Sequence, residues 1–123
     1  MHCGDAMLGR MTADQYQRLA KRTADLDSKA AGERWSNWGL GIAGEAGEVA
    51  DYLKKVIYHG HPMDRDKLIK ELGDVQWYIA IAASEADVSL SDIMEANIEK
   101  LRKRYPQGFS TADSLIRKDT QNG

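Results

Sequence analysis

Apolar side chains recur every three or four residues through most of this chain, which is the spacing of an amphipathic helix. One stripe runs through Ile42, Ala46, Val49, Leu53 and Val56, and another through Leu68, Leu72, Val75, Ile79 and Ala82. The spacing predicts four helices, at about 13–27, 37–58, 64–85 and 89–105. Residues 28–34 are small and polar and predict the first connection. We therefore expect an all-α fold, an antiparallel bundle of about four helices.

Short polar and turn-forming residues mark the expected ends of these helices. A Thr-x-x-Gln pattern that starts at Thr12 predicts a capping box before the first helix. Gly60 and Pro62 end the second helix and predict a turn, so the second and third helices should be antiparallel neighbours. Ser89 or Ser91 is the expected cap of the fourth helix.

Length and composition limit the class of protein. The 123 residues predict one domain, 12–110, with a flexible leader at 1–11 and a polar tail at 111–123. A net charge of −2 argues against nucleic-acid binding. No apolar run approaches the ~20 residues that span a bilayer, and the N-terminus lacks a signal-peptide pattern. Cys3 is the single cysteine. We expect a cytoplasmic protein with no membrane and no nucleic-acid partner.

Two acidic motifs stand at matched places on the second and third helices. Glu45 and Glu48 are one helical turn apart, and so are Glu71 and Asp74, which follow 26 residues later. Glu48 and Asp74 are each 13 residues from His61 in the turn, so antiparallel helices place the motifs at the same height. Each motif borders the apolar stripe of its helix, so we expect four carboxylates to converge. Such acids repel one another unless a cation lies between them.

The ligand atoms select the kind of cation and of substrate. Oxygen ligands favour Mg²⁺, with Mn²⁺ as a possible substitute, over zinc or copper. Mg²⁺ commonly joins protein carboxylates to substrate phosphates, which predicts a phosphorylated substrate. A di-iron bundle is the competing interpretation, but it uses Glu-x-x-His motifs that are absent here. Gly47 and Gly73 lie inside the acidic motifs and predict close approach of a backbone or a ligand, because each costs about 1 kcal/mol within a helix.

Three stretches of the chain carry a family resemblance. They are Gly41–Val49, Glu71–Val75 and the ending Asn97-x-x-Lys100-Leu101-x-x-Arg104-Tyr105-Pro106-x-Gly108-Phe109. With them the chain resembles a MazG-like nucleoside triphosphate pyrophosphohydrolase of the all-α NTP pyrophosphatase superfamily. The resemblance implies an oligomeric, Mg²⁺-dependent enzyme of nucleotide-pool house-cleaning. It would hydrolyse (deoxy)nucleoside triphosphates between the α- and β-phosphates, giving a nucleoside monophosphate and pyrophosphate.

The same resemblance implies roles for the acids. Glu45, Glu48, Glu71 and Asp74 would hold the metal, and Glu48 or Glu45 would also orient or deprotonate the attacking water. The chemistry agrees, because triphosphate hydrolysis depends on charge neutralisation and an in-line water more than on a nucleophilic side chain. The sequence contains no Walker P-loop, since no glycine-rich stretch ends in Gly-Lys-Ser/Thr.

Several cations are candidates for binding the substrate's phosphates. Asn97, Lys100 and Arg104 share a helical face and match the ending of the family pattern. Lys54, on the helix of the first acidic motif, is a further candidate. The alternative is that such cations serve the helix dipole and solubility.

Aromatic residues near the motifs are candidates for contacting the base or sugar. Trp35 and Trp38 flank Asn37 just before the first motif, so a ring could stack on a base while Asn37 reads its edge. Tyr78, one turn past Asp74, is a candidate for sugar or base. The alternative for each ring is a place in the core. The preferred base, and ribose versus deoxyribose, stay open.

The many apolar helix positions predict that part of the surface is buried against another copy of the chain. A homodimer is the first expectation and a tetramer the second. Two functions are carried forward. One is the pyrophosphohydrolase, and the other is a non-catalytic helical module that binds nucleotide or protein without hydrolysis.

Overall fold

The structure is a computed structural model that describes residues 9–120. Residues 1–8 and 121–123 lie outside the described residues, and with them most of the predicted leader, Cys3 and the end of the predicted tail. The helices are α1 Ala13–Lys21, α2 Ala31–Tyr58, α3 Arg65–Glu85, α4 Leu90–Arg104 and α5 Thr111–Ile116, followed by a 3₁₀ turn at Lys118–Thr120. This part of the chain contains no β-strand, so the all-α prediction is confirmed.

The first connection lies earlier in the chain than the sequence predicts. α1 ends at Lys21, because Thr23 Oγ1 donates at 2.7 Å to a carbonyl of the last turn. Asp25 Oδ1 then accepts from the Ser28 backbone N–H at 3.0 Å. Short polar side chains compete in this way with helical hydrogen bonds. α2 begins at Ala31, so the prediction of 28–34 as a connection is wrong for residues 31–34.

Side-chain caps set where α1 and α4 begin. Thr12 Oγ1 accepts from the Gln15 backbone N–H at 3.1 Å, and Gln15 Oε1 accepts from the Thr12 N–H at 2.7 Å, which confirms the capping box. Ser89 is the cap of α4 and accepts from a first-turn N–H at 3.0 Å. Ser91 instead donates its hydroxyl to Asp14 Oδ2 at 2.8 Å, which ties α4 to α1.

α2 and α3 pack side by side in antiparallel directions. Arg34, early in α2, pairs with Glu85 at the end of α3. Tyr52, late in α2, contacts Asp64 just before α3. Gly60 has a φ of 72° in the connection between the two helices, as suits the predicted turn. The predicted antiparallel packing is therefore confirmed for this pair.

The core lies at the end of the bundle away from this turn. Four helices contribute to it, through the buried residues Ala20, Trp38, Ala80, Ile81 and Leu90. Gln17 of α1 reinforces this end, because its Oε1 accepts from the Leu90 backbone N–H at 2.7 Å. The core thus joins α1, α3 and the start of α4 around one end of α2.

Large apolar side chains are exposed over much of the remaining surface. On α4 they include Ile93, Met94 and Ile98. Within residues 9–120, no helix combines the length and the apolar character that crossing a bilayer requires. Oligomerisation and a cytoplasmic location stay predictions.

The segment predicted as a polar tail contains α5 and the 3₁₀ turn, and it packs against α4. Arg104 donates to Asp119 through two hydrogen bonds, Nε to Oδ1 and Nη2 to Oδ2, both 2.9 Å long. The Asp119 side chain is 1% exposed, so this ion pair is sheltered from water on the acidic side. The rings of Tyr105 and Phe109 also contact each other, with centroids 5.4 Å apart.

Candidate active site

Three of the four predicted acids come together where α2 faces α3. One carboxylate oxygen from each of Glu45, Glu71 and Asp74 lies within 4.8 Å of the other two. Glu45 and Glu71 are half-buried, whereas Asp74 is exposed. Glu71 and Asp74 project from successive turns of α3, and the antiparallel packing brings Glu45 of α2 to the same level. We call these three residues the acid cluster.

Glu48 stands at the edge of the acid cluster and does not join it. The side chain is exposed, one turn beyond Glu45 on α2. It is close enough for its charge to help raise the pKa of Glu45. The spacing of the motif put both glutamates on one side of α2, but only Glu45 is turned into the seam with α3. Glu48 therefore offers a carboxylate open to water beside the cluster.

The acid cluster carries uncompensated negative charge. The pKa of Glu45 is raised above its ordinary value, first by loss of hydration and then by the charges of Asp74, Glu71 and Glu48. Among residues 9–120, no lysine or arginine forms an ion pair with these four acids. A cation between the carboxylates would relieve the repulsion.

The geometry and the ligand atoms of the acid cluster fit a hard divalent cation. At Mg–O distances of about 2.1 Å, oxygens on opposite sides of the ion are about 4.2 Å apart. Oxygens that already lie within 4.8 Å of one another need only small side-chain movements to bind one ion. No histidine of the described chain joins the group, which disfavours the di-iron interpretation. Glu45, Glu71 and Asp74 are therefore suited to hold Mg²⁺ or Mn²⁺.

At Gly41, a side chain of α3 lies close to the backbone of α2. A Cβ on Gly41 would overlap the ring of Tyr78, so glycine allows this ring to lie against α2 one turn from Glu45. Around Gly47 and Gly73, no atom of the described chain beyond their own turns lies within 4 Å of where a Cβ would stand. The close approach predicted at these two glycines is therefore not made by this part of the chain.

Trp38 is a core residue. Its side chain is 3% exposed, and its indole N–H donates to Glu85 Oε1 at 2.9 Å. Its ring packs edge-on against Trp77, with centroids 6.1 Å apart. Because the ring is covered, the structure corrects the prediction that Trp38 contacts a base.

The other predicted base and sugar contacts keep open surface. Trp35 is 45% exposed and Asn37 is exposed, although Trp35 lies ten residues before Glu45, or about 15 Å along the helix. Tyr78 is half-buried between Gly41 and the edge of Trp77, whose ring centroid is 4.9 Å away. Of this set, Tyr78 is the residue that the structure places near the acid cluster.

The predicted phosphate-binding residues have other surroundings or partners within residues 9–120. Lys54 pairs with Asp51 at 3.5 Å, within its own helix. Asn97 and Lys100 are exposed on α4. Arg104 is engaged by Asp119. None of the three cations forms an ion pair with the cluster within the described chain.

Tyr16 of α1 is a neighbour of the cluster that the sequence analysis missed. The pKa of its phenol is raised first by burial and then by the negative charge of Asp74. It also packs against the core. In the sequence, Tyr16 recurs at helical spacing with Leu19 and Ala20, so nothing in the pattern distinguishes it from an ordinary core residue.

With the fold and the acids in view, comparison with known proteins identifies the family. Residues 36–109 match the family model of the MazG nucleotide pyrophosphohydrolase domain, and this range includes the acid cluster and Glu48. The chain therefore belongs to the MazG nucleotide pyrophosphohydrolase domain family. The resemblance found in the sequence is confirmed.

The chain is also similar to two curated proteins. The chain is 39% identical over 108 residues to the Gene 37 protein of Mycobacterium phage L5, covering 80% of this chain and 92% of that protein. It is 51% identical over 70 residues to the uncharacterized protein YvdC of Bacillus subtilis (strain 168), covering 50% of this chain and 66% of that protein. No solved structure matches the chain with statistical significance.

Proposed function

We propose that this protein is a Mg²⁺-dependent nucleoside triphosphate pyrophosphohydrolase. It would cleave (deoxy)nucleoside triphosphates between the α- and β-phosphates and release a nucleoside monophosphate and pyrophosphate. The observation that carries the proposal is the convergence of Glu45, Glu71 and Asp74 at the α2–α3 seam of a MazG-family chain. Converging carboxylates suit hydrolysis by water of an anionic, metal-bound substrate, because this chemistry does not require a nucleophilic side chain.

The acids have separable tasks in this mechanism. Glu45, Glu71 and Asp74 would hold the cation, which supplies neutralisation of the phosphate charge when bound. Glu48 lies beside the acid cluster and is exposed, so it is our candidate base. It would take a proton from a water whose oxygen attacks the α-phosphorus. The bond from that phosphorus to the bridging oxygen breaks, and pyrophosphate leaves with this oxygen.

The remaining predicted residues would bind the rest of the substrate. We propose that Lys100 and Asn97 contact the outer phosphates, together with Lys54 and with Arg104 once Asp119 releases it. Tyr78 would contact the sugar or base, because it lies one turn from the cluster on α3. Trp35 and Asn37 are farther along α2 and would reach only an extended ligand.

The deciding experiment is a product assay over a panel of ordinary and modified nucleotides. We expect pyrophosphate and the monophosphate with Mg²⁺ or Mn²⁺, and no turnover in EDTA. Glu48→Gln should lower kcat by about 10²- to 10⁴-fold, as for loss of a general base. Glu33→Gln, an exposed glutamate of the same helix, is the matched control and should retain wild-type rates. Release of orthophosphate, or no turnover by folded protein, contradicts the proposal.

A non-catalytic nucleotide- or protein-binding module is the second candidate. It is favoured by the engagement of Arg104 with Asp119, which leaves a predicted phosphate ligand occupied. This candidate predicts nucleotide or partner binding without turnover. It also predicts that Glu48→Gln binds as tightly as the wild-type protein.

We further propose that the protein works as a homodimer, with a tetramer as the alternative. The support is the exposed apolar surface of α4, where Ile93, Met94 and Ile98 are 39%, 51% and 46% exposed. Single residues of this kind are common on surfaces, but a row along one helix favours a partner. Light scattering on the purified protein measures the mass directly, and a monomer at micromolar concentration contradicts the proposal.

A further inference from the structure

Side-chain hydrogen bonds join α2 to α3 and its cap at two places in the described chain. At one end, Glu85 Oε1 accepts from Trp38 Nε1 at 2.9 Å and from Arg34 Nε at 2.8 Å. At the other end, Tyr52 Oη accepts from the Asp64 backbone N–H at 2.7 Å and lies 3.3 Å from the Asp64 carbonyl oxygen, to which it donates. Asp64 is the N-cap of α3, so this bond fixes where α3 begins against α2.

The two contacts are evenly placed around the acid cluster. Trp38, Glu45 and Tyr52 follow one another at intervals of seven residues, so they lie on nearly the same face of α2. On α3, Asp64 likewise precedes Glu71 by seven residues. Trp38 and Tyr52 are the buried residues of α2, with Glu45 half-buried between them. The acid cluster therefore lies between two hydrogen-bonded contacts that join α2 to α3.

These two contacts oppose the electrostatic repulsion that arises within the acid cluster. Three carboxylates that converge without a cation push their helices apart, and the push is strongest where water is partly excluded. The hydrogen bonds of Glu85 and Tyr52 are partly buried, so water competes for them less than at an open surface, and they resist this separation. The ring of Tyr52 adds a contact from the Lys67 ammonium, 5.0 Å from the ring centroid.

We propose that Tyr52 and Glu85 are positioning residues, whose hydrogen bonds hold α2 and α3 at the separation at which Glu45, Glu71 and Asp74 converge before a cation binds. The proposal rests on the proposed function in taking the acid cluster as a metal site. Neither residue touches the cation or the substrate. Each acts by holding the two helices at this separation.

The first test is metal binding by Tyr52→Phe, measured by calorimetric titration with Mn²⁺. The variant keeps the buried ring and loses the hydroxyl. If the three carboxylates of the variant converge in only a fraction of the molecules, the apparent metal affinity is the intrinsic affinity multiplied by that fraction. We expect the dissociation constant to rise by about two- to tenfold, the range of one net hydrogen bond, with unchanged stoichiometry. Activity at saturating metal should keep its wild-type kcat.

Matched variants separate positioning from general stability. Tyr58→Phe removes a hydroxyl from an exposed tyrosine of the same helix and should leave metal affinity unchanged. A merely structural Tyr52 would lower the melting temperature and leave the metal affinity of the folded protein intact, which overturns the proposal. Glu85→Gln tests the opposite end and should weaken metal binding in the same direction. It also serves if Tyr52→Phe does not fold.

The second test needs no metal and so distinguishes this proposal from the proposed function. Spin labels at Ala50→Cys and Gln76→Cys, in a Cys3→Ser background, report the α2–α3 distance in EDTA by pulsed electron resonance. We expect a longer and broader distance distribution when Tyr52→Phe is added. An unchanged distribution overturns the positioning role whether or not metal binds. A wild-type protein that binds no divalent cation overturns the proposed function instead.

Discussion

Arg104 at the end of α4 and Asp119 in the 3₁₀ turn are joined by two hydrogen bonds of 2.9 Å, with the acid nearly sealed from solvent. Arg117 adds a longer contact of 3.4 Å to the same carboxylate. Paired guanidinium and carboxylate groups of this geometry are among the stronger polar contacts in proteins. This one holds the C-terminal segment on α4.

The ion pair predicts a dependence of this segment on pH. Hydrogen bonding from Arg104 holds the pKa of Asp119 well below its usual range. A lowered folded-state pKa means that the stabilisation is fully present above the unfolded value of about 3.9 and is lost as pH falls below it. We expect the protection of 111–120 from hydrogen exchange, taken relative to the intrinsic exchange rate at each pH, to fall below about pH 4.

Asp119→Asn is the control for this dependence. The variant cannot titrate at this position, so its segment should exchange rapidly at pH 7 and should lack the acid transition. Equal protection of 111–120 in the variant and the wild type at pH 7 would show that the ion pair does not hold the segment.

Replacing glycine by alanine should have opposite effects on stability at two positions of α2. Gly41→Ala places a methyl group into the ring of Tyr78 and should destabilise the fold by about 1–3 kcal/mol, as for overpacking. Gly47→Ala meets no atom of the described chain and should stabilise α2 by about 0.5–1 kcal/mol. Urea unfolding measures both. Destabilisation by Gly47→Ala would instead reveal a neighbour from a second copy of the chain.

Divalent metal should stabilise the folded protein through the acid cluster. A ligand at 100 times its dissociation constant contributes about 2.7 kcal/mol. Thermal melts in EDTA and in saturating Mg²⁺ measure the shift, and Glu71→Gln should remove most of it. Glu95→Gln, an exposed acid of α4, should keep the full shift. Identical melting temperatures of the wild type with and without metal are incompatible with the site.

Replacing each of the two tryptophans near the start of α2 by phenylalanine should change stability to different extents. Trp38→Phe leaves a cavity in the core and removes the indole donor to Glu85, so we expect about 1–3 kcal/mol of destabilisation. Trp35→Phe alters an exposed ring and should change stability by no more than about 0.5 kcal/mol. Urea unfolding separates the two. A larger KM for Trp35→Phe would assign it to substrate binding.

Periodicity predicted the helices well and their ends less well. α3 and α4 begin at caps that are readable in the sequence, since Asp64 and Ser89 accept from first-turn N–H groups. The end of α1 was missed because Thr23 and Asp25 bond to nearby backbone, a local competition that apolar spacing does not register. The start of α2 has no side-chain cap, so no local signal marked Ala31.

The sequence predicted which helix faces carry the candidate site, but not which side chains on those faces meet. Counting from the turn placed the two motifs at one height, with Glu48 level with Asp74, because rise per residue is nearly constant. It did not predict that Glu45, and not Glu48, is turned toward α3, because the rotation of a helix about its axis depends on side-chain packing that counting residues does not describe. Trp38 was misassigned because a core tryptophan and a base-stacking one have the same sequence signature.

The uneven placement of the core has a consequence for heat inactivation. Buried packing is concentrated where α1, α3 and α4 meet, whereas the hairpin end of α2 and α3 is held chiefly by Tyr52. On warming, we therefore expect unfolding to begin at the turn between α2 and α3 and to spread toward the core. The acid cluster lies between these two ends, so the proposed activity should be lost at temperatures where most helical circular dichroism survives.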